Sequence, residues 1–166
     1  PGTGEYNRPF LAGDLELMPG YRRMQGILFR PGDPRFTGKS PEEAVAAAVA
    51  DPDCALVNRN PGSGTRILTD RLLGGHQPPG YGVQTRSHNA VAAAVAQGRA
   101  DWGIAIGSVA AAYDLGFLPL QEEHYDFAVP RARAHREPVA RFRELLAEPA
   151  IRADMRRLGF RFSGEE

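Results

Sequence analysis

Residues 54–73 constrain the fold most strongly, because a strand, a glycine-containing loop and a helix follow one another there without interruption. The run CALV at residues 54–57 is a short apolar stretch typical of a buried strand. Residues 58–62 (NRNPG) have the composition of a turn, and a helix with apolar residues at helical spacing follows at once. A strand that leads through a short loop into a helix is the repeating unit of an α/β fold.

The same alternation recurs along the rest of the chain. Ser40 precedes a proline and two glutamates, which is a typical helix start, and Ser87 precedes a second alanine- and valine-rich helix. The remaining predicted strands are residues 21–29, 82–85, 100–106, 117–120 and 125–130. A third helix follows Gly107 and runs to Gly116, and two amphipathic helices cover residues 137–147 and 149–158. This order predicts an α/β fold with a mainly parallel sheet.

The start of the helix that follows residue 62 has the chemistry of an anion site. The first turn of a helix has unpaired N–H groups and a partial positive charge, so it can hold an oxyanion. Ser63 and Thr65 add hydroxyl donors, Gly64 lets the backbone come close, and Arg59 or Arg66 could add a planar guanidinium. The alternative is that Ser63 is only an N-cap. The loop matches neither a Walker P-loop nor a dinucleotide-binding fingerprint.

Two further turns are expected beside this helix start. In α/β folds the ligand lies at the carboxyl ends of the strands, where the following helices begin. The turns at residues 63–65, 87–89 and 107–108 all carry small or polar side chains and all follow predicted strands. We therefore expect three donor-rich turns on one edge of the sheet, with Ser87 and His88 beside the first site.

Composition limits the other functions. The 166 residues include 20 basic and 20 acidic side chains, so no net charge draws the chain to nucleic acid or to a membrane. Cys54 is the only cysteine and is expected in the core, so no internal disulfide is possible. His88, and His124 with Asp126, are weak acid–base candidates, because the chain lacks a nucleophile elbow and a two-histidine metal motif.

Several motifs in order resemble one protein family. They are TGEYNR at residues 3–8, RMQG at 23–26, NR with GSGTR at 58–66, SHNAVAAAV with GRAD at 87–101, and PL with EHYD at 119–126. They resemble the type II periplasmic-binding-protein-like domain that is fused to molybdopterin-biosynthesis proteins and to DNA-binding regulators. That family is related to the molybdate, tungstate and phosphate binding proteins of transporters.

The resemblance implies two α/β lobes joined by hinge strands, with the ligand in the cleft between them. Residues 1–30 would form a remnant of lobe one and a hinge strand, residues 31–117 the second lobe with the anion loop, and residues 118–166 the returning hinge strand and the C-terminal helices. Ser63, Gly64 and Thr65 would hold ligand oxygens. The family motif also nominates Tyr125, at the end of the return strand.

The expected function is non-enzymatic binding or sensing of a small tetrahedral oxyanion, molybdate or tungstate first, in molybdenum-cofactor metabolism or its regulation. No cofactor is expected, and the expected location is cytoplasmic. One alternative is an accessory or catalytic domain that acts on a pterin phosphate during cofactor biosynthesis. Another is an interaction domain with a vestigial pocket.

The chain departs from the family pattern at its beginning. Family members usually carry strand–helix units before the TGEYN segment, so the N-terminal half of lobe one is expected to be missing. A homo-oligomer, or a fused or associated partner domain, would then complete lobe one.

Overall fold

The computed structural model describes residue 11 and residues 13–162. The predicted motif at residues 3–8 lies outside this part of the chain. The fold divides into two compact units: one comprises Pro1–Arg23 and Glu122–Glu166, and the other comprises Met24–Gln121. The lobe boundaries that the family resemblance implies, after residues 30 and 117, stay a prediction.

The described residues form one five-stranded sheet with six α-helices. The strands are β1 (Leu15–Phe29), β2 (Leu56–Arg59), β3 (Gln84–Thr85), β4 (Trp102–Ile106) and β5 (Gly116–Pro130), in the order β3-β2-β4-β1-β5. The helices are α1 (Pro41–Ala50), α2 (Gly64–Leu73), α3 (His88–Ala96), α4 (Gly107–Ala112), α5 (Glu137–Ala147) and α6 (Pro149–Arg157). Strand β2 runs parallel to β3 and β4, whereas β1 runs antiparallel to β4. The predicted α/β class is confirmed, with a mixed sheet where a mainly parallel one was expected.

Serine caps begin three of the helices, as their local sequence predicts. Ser40, Ser63 and Ser87 each accept a hydrogen bond from the backbone N–H three residues later, at the starts of α1, α2 and α3. At α1 the cap is a complete capping box, because Glu43 also accepts from the Ser40 N–H at 2.8 Å.

Two apolar layers in the unit Met24–Gln121 cover opposite faces of the sheet. Ile27, Phe29 and Trp102 pack with the buried residues of α1 and with Leu73 of α2, and we name this side the α2 face. Leu28, Ala105 and the buried residues of α3 and α4 form the other layer. Adjacent strand residues point to opposite sides of a sheet, so these residue numbers fix the direction of the side chains on β4 and on residues 25–29 of β1.

The unit that contains both ends of the chain has its own small core. Met18, Val129 and Ala134 are buried there against side chains that include those of α5. Tyr21 and Tyr125 stack with their ring centroids 5.3 Å apart and their planes 8° apart. The predicted pair of C-terminal helices is confirmed as α5 and α6.

The structure corrects two predicted elements. Residues 117–120 and 125–130 belong to one strand, β5, although polar residues separate them. The ion pairs Arg22–Glu122 (3.0 Å) and Arg23–Glu123 (2.6 Å) compensate the charges of that stretch, which explains how it can remain in the sheet. Helix α4 ends at Ala112, short of Gly116, and Asp114 then takes a left-handed conformation with φ of 52°.

Strand β3 is only two residues long, and the irregular segment before it, residues 79–83, also forms hydrogen bonds with β2. The Leu56 N–H donates to the Pro79 carbonyl (2.7 Å), and the Asn58 N–H donates to the Val83 carbonyl (2.8 Å). Gly80 is needed here because it has φ of +78° and because a Cβ would lie 2.1 Å from the Leu56 oxygen. Within the described part of the chain, no helix is long and apolar enough to cross a membrane.

Candidate functional site

Three helices of the unit Met24–Gln121 begin at one edge of the sheet. Strands β2, β3 and β4 are parallel, so their carboxyl ends share this edge, and α2, α3 and α4 follow them. The Asn60 N–H donates to the Thr85 carbonyl at 3.0 Å, which ties the loop after β2 to the end of β3. The predicted clustering of the three turns on one edge is therefore confirmed. We name this edge the carboxyl edge.

Ser63 is the N-cap of α2, and its hydroxyl group is used within the loop. Its Oγ accepts from the Arg66 N–H at 3.2 Å and donates to the Asn60 carbonyl at 3.0 Å. This arrangement is the capping role that the sequence left open as an alternative. A ligand would receive a hydrogen bond from this hydroxyl only if the bond to Asn60 were exchanged.

Gly64 and Thr65 supply the donors that the cap leaves unused. They are the first two residues of α2, and the N–H groups at these positions have no partner inside a helix. Thr65 is only 3 % exposed, and its hydroxyl group makes no hydrogen bond within the described part of the chain. Two amides and one hydroxyl group are thus left as donors in the first turn of α2, at the carboxyl edge.

Arg59 and His88 bring a cation and an imidazole to the same edge. Arg59 ends β2, and its Nη1 lies 3.3 Å from Nδ1 and 3.5 Å from Nε2 of His88, which begins α3. A nitrogen nearly equidistant from both ring nitrogens at this range lies over the ring face, since an in-plane position would collide with the carbon between them. Arg59 Nη2 also donates to the Arg86 carbonyl at 3.4 Å. The guanidinium is therefore stacked at the start of α3.

Arg66 has its principal contacts along α2. Its Nε donates to both carboxylate oxygens of Asp70 at 2.8 and 3.0 Å, and its Cζ lies 4.5 Å from the centre of the Tyr81 ring. Its Nη1 donates to the Arg59 carbonyl at 3.3 Å. These contacts hold α2 against the loop before β3. They also occupy the Arg66 guanidinium group, which the sequence nominated as a ligand-binding group.

Tyr125 belongs to the other unit, and its nomination as a ligand-binding residue stays a prediction. It stacks on Tyr21, and the Arg23 guanidinium carbon lies 4.7 Å from the centre of its ring. His124 is in the same unit, with Nε2 4.0 Å from Glu122 Oε1. In the described residues, no group of three or more His, Cys, Asp or Glu side chains could hold a metal ion.

The electrostatic environment distinguishes α2 and α3 from α1. The first turn of α1 carries Glu42 and Glu43, and hydrogen bonds from Ser40 lower the pKa of Glu43, so carboxylates already occupy that positive helix end. The first turns of α2 and α3 contain no acidic residue. The two positive helix ends at the carboxyl edge therefore lack a carboxylate of their own.

Sequence reasoning did not identify Gln25 as a candidate. Gln25 lies on β1 opposite Ile106, is only 4 % exposed, and has a buried Oε1 without a hydrogen-bond partner among the described residues. The available signal was a single amide side chain followed directly by GILF at residues 26–29.

A second group that sequence reasoning missed is an ion-pair network around Asp101, just before β4. Asp101 Oδ1 accepts from Arg30 at 2.6 Å and from Arg35 at 3.0 Å, and Oδ2 accepts from the Ala55 N–H at 2.8 Å. Burial alone would raise the pKa of Asp101, but these three hydrogen bonds lower it below its ordinary value. Asp33 also binds Arg35, and that hydrogen bond lowers its pKa. The network joins residues that are distant in sequence.

Comparisons with known proteins place this fold. The model of the PBP superfamily domain matches residues 1–147. The uncharacterized protein YvgK of Bacillus subtilis (strain 168) is 33% identical over 137 residues, which cover 76% of this chain and 42% of that protein. The chain thus spans less than half the length of this relative.

Solved structures share the fold at low sequence identity. An ancestral amino acid-binding protein, AncCDT-1, a precursor of cyclohexadienyl dehydratase, has a TM-score of 0.58 at 16% identity, covering 94% of this chain and 63% of that one. An ABC-type phosphate transport receptor from Vibrio cholerae has a TM-score of 0.56 at 12% identity, covering 92% and 74%. The tungstate binding protein TupA from Desulfovibrio alaskensis G20 has a TM-score of 0.53 at 17% identity, covering 84% and 64%. Because the family model matches residues 1–147 and the fold agrees with it, the chain belongs to the family of PBP superfamily domains.

Proposed function

We propose that the carboxyl edge of the unit Met24–Gln121 binds a small tetrahedral oxyanion, with molybdate or tungstate as the first ligands to test. The observation that carries this proposal is the start of α2. There the Gly64 and Thr65 N–H groups and the Thr65 hydroxyl group belong to one helix turn, and that turn contains no acidic residue. Buried or half-buried oxyanions need several such donors, since each unpaired oxygen is costly.

The charge pattern supports an anionic ligand over a neutral one. Two helix N-termini and the Arg59 side chain contribute positive potential at one edge, while the comparable helix end of α1 is neutralised by Glu42 and Glu43. Structural neighbours that bind phosphate or tungstate are consistent with this ligand class. A role in molybdenum-cofactor metabolism is the wider function that we propose for such binding.

Isothermal titration of molybdate, tungstate, sulfate and phosphate into the purified chain tests the proposal. We expect saturable binding of at least one anion, and a phosphate ester in a further titration tests the pterin-phosphate alternative. Thr65→Val keeps the side-chain shape and removes the hydroxyl group. It should weaken binding roughly 10- to 100-fold, because a hydrogen bond to a charged group contributes about 1.5–3 kcal/mol.

Ser40→Ala is the matched control, since it removes a helix cap in the same unit but at α1. Ser63→Ala and Ser40→Ala should each lose about 1 kcal/mol of stability. Only Ser63→Ala should also weaken the anion complex, because it disturbs the start of α2. No heat with any of the four anions from a folded protein would refute the proposal. Unchanged affinity in Thr65→Val would refute the placement of the site.

A further inference from the structure

Gln25 carries a buried amide oxygen that the described residues do not satisfy. The residue is 4 % exposed, and its Oε1 is inaccessible to solvent and has no hydrogen-bond partner in the described residues. Nε2 makes no hydrogen bond to them either, but it is not among the atoms closed to solvent. A buried carbonyl oxygen without a partner destabilises a fold, whereas an apolar side chain of the same size would not. A group of this kind points to a partner that is supplied from outside the described residues.

The sheet places Gln25 at the level of the carboxyl edge. Gln25 pairs with Ile106, the last residue of β4, in the antiparallel ladder. Val57 of β2 pairs with Gly103 of β4, and continuing that parallel ladder by three residues brings Asn60 to the level of Ile106. Gln25 therefore lies at the height where the loop leading to Ser63 begins.

The side chain of Gln25 also lies on the same side of the sheet as α2. Ile27 and Phe29 belong to the apolar layer of the α2 face. Gln25 precedes Ile27 by two residues on β1, and alternate residues of a strand face the same side of the sheet. Helix α2 packs on β2 and β4, and β4 is the immediate neighbour of β1. Two strand spacings, about 10 Å, separate β1 from β2. Gln25 and Thr65 are thus two buried polar side chains on one face and at one edge, and neither has a side-chain hydrogen bond within the described chain.

We infer that Gln25 is a ligand-binding residue of the anion site, and that its terminal amide contacts the bound oxyanion beside the start of α2. This inference rests on the proposed function and adds a residue from a strand that precedes the anion loop. Nε2–H can donate to a ligand oxygen, as molybdate, tungstate and sulfate require. Oε1 can in addition accept from a protonated oxygen, which hydrogen phosphate has and those fully ionised anions lack. Gln25 therefore contributes to the discrimination among oxyanions.

Two variants of similar size test the inference by titration with the same four anions. Gln25→Leu removes the amide, and we expect affinity to fall roughly 10- to 100-fold while the melting temperature of the ligand-free protein stays equal or rises. Gln25→Glu places a carboxylate where the anion binds and should abolish binding. Gln97→Glu is its control, because it adds the same charge at the exposed C-cap of α3.

A direct readout uses the unaltered protein. The ¹⁵N–¹H signals of the Gln25 side-chain amide, identified by their loss in Gln25→Leu, should shift on addition of the anion that binds. Wild-type affinity in both Gln25 variants, or unmoved amide signals at saturation, would overturn the inference and leave the proposed function standing. Absence of binding to the wild-type protein would overturn the proposed function and the inference together.

Discussion

Asp101→Asn should destabilise the protein strongly, although it changes one oxygen to a nitrogen. The carboxylate accepts from Arg30, Arg35 and the Ala55 N–H, at 2.6, 3.0 and 2.8 Å. An asparagine can accept only at its oxygen. Its NH₂ group must therefore face either the two guanidinium groups or the Ala55 N–H, both of which are donors. The variant loses the charge and also opposes donor to donor.

The magnitude follows from the burial of the pair. Removing one member of a buried ion pair costs about 3–5 kcal/mol. The Asp101 side chain retains 18 % exposure, so solvent can compensate part of the loss and we expect about 3 kcal/mol. In a domain of this size, that loss corresponds to a melting temperature lower by roughly 6–12 °C.

Urea denaturation followed by tryptophan fluorescence measures this change. Trp102, the single tryptophan, is fully buried and adjacent to Asp101 in sequence, so its emission reports unfolding of the relevant core. Asp53→Asn is the control, because it removes the same charge from an exposed turn close to the network. A loss below about 1 kcal/mol for Asp101→Asn, equal to that of the control, would refute the view that this network stabilises the fold.

Three further results are expected. The pKa values of Asp33 and Asp101 are lowered in the folded state, so their contribution to stability is complete above about pH 4 and is lost as the pH falls through the folded pKa values. Urea denaturation curves between pH 6 and pH 2 should therefore show a smaller decrease in unfolding free energy for Asp101→Asn than for the wild-type protein. Gly103→Ala should lower the unfolding free energy by about 1–3 kcal/mol, since the new Cβ would lie 2.6 Å from an α3 side chain and 2.8 Å from the β2 backbone. Gly82→Ala is the control, because its Cβ would lie in open space and should change stability by less than about 0.5 kcal/mol. Burial raises the pKa of Cys54 to about 12, so the thiol should resist alkylation in the folded protein and react in urea; rapid reaction without denaturant would contradict this expectation.

Local sequence signals predicted the parts of the structure that depend on near neighbours. Ser40, Ser63 and Ser87 were predictable as caps because the serine and the N–H that it binds are only three residues apart. The shared carboxyl edge was predictable as well, since alternating strands and helices leave few possible topologies. Among the nominated site residues, the structure gathers Arg59, His88 and the start of α2 at this edge.

Contacts between distant residues were beyond the reach of the sequence. Nothing near Asp101 indicates that Arg30 and Arg35, more than 60 residues away, would bind it. The isolation of the Gln25 amide is likewise visible only once β1 is paired with β4. The sequence predicts two strands where the structure has β5, because a charged stretch interrupts the hydrophobic pattern. Cross-strand ion pairs keep this charged stretch in the sheet.

The loop alongside β2 has a consequence for the behaviour of the protein at high concentration. The outer edge of a sheet normally presents a row of open backbone groups to which a strand of another molecule can add. Here the N–H groups of Leu56 and Asn58 are already bound to the carbonyls of Pro79 and Val83, and the paired strand beyond them is only two residues long. The irregular backbone of this loop, held close by Gly80, is a poor template for such addition. This lateral edge of the sheet therefore disfavours the addition of a strand from another molecule.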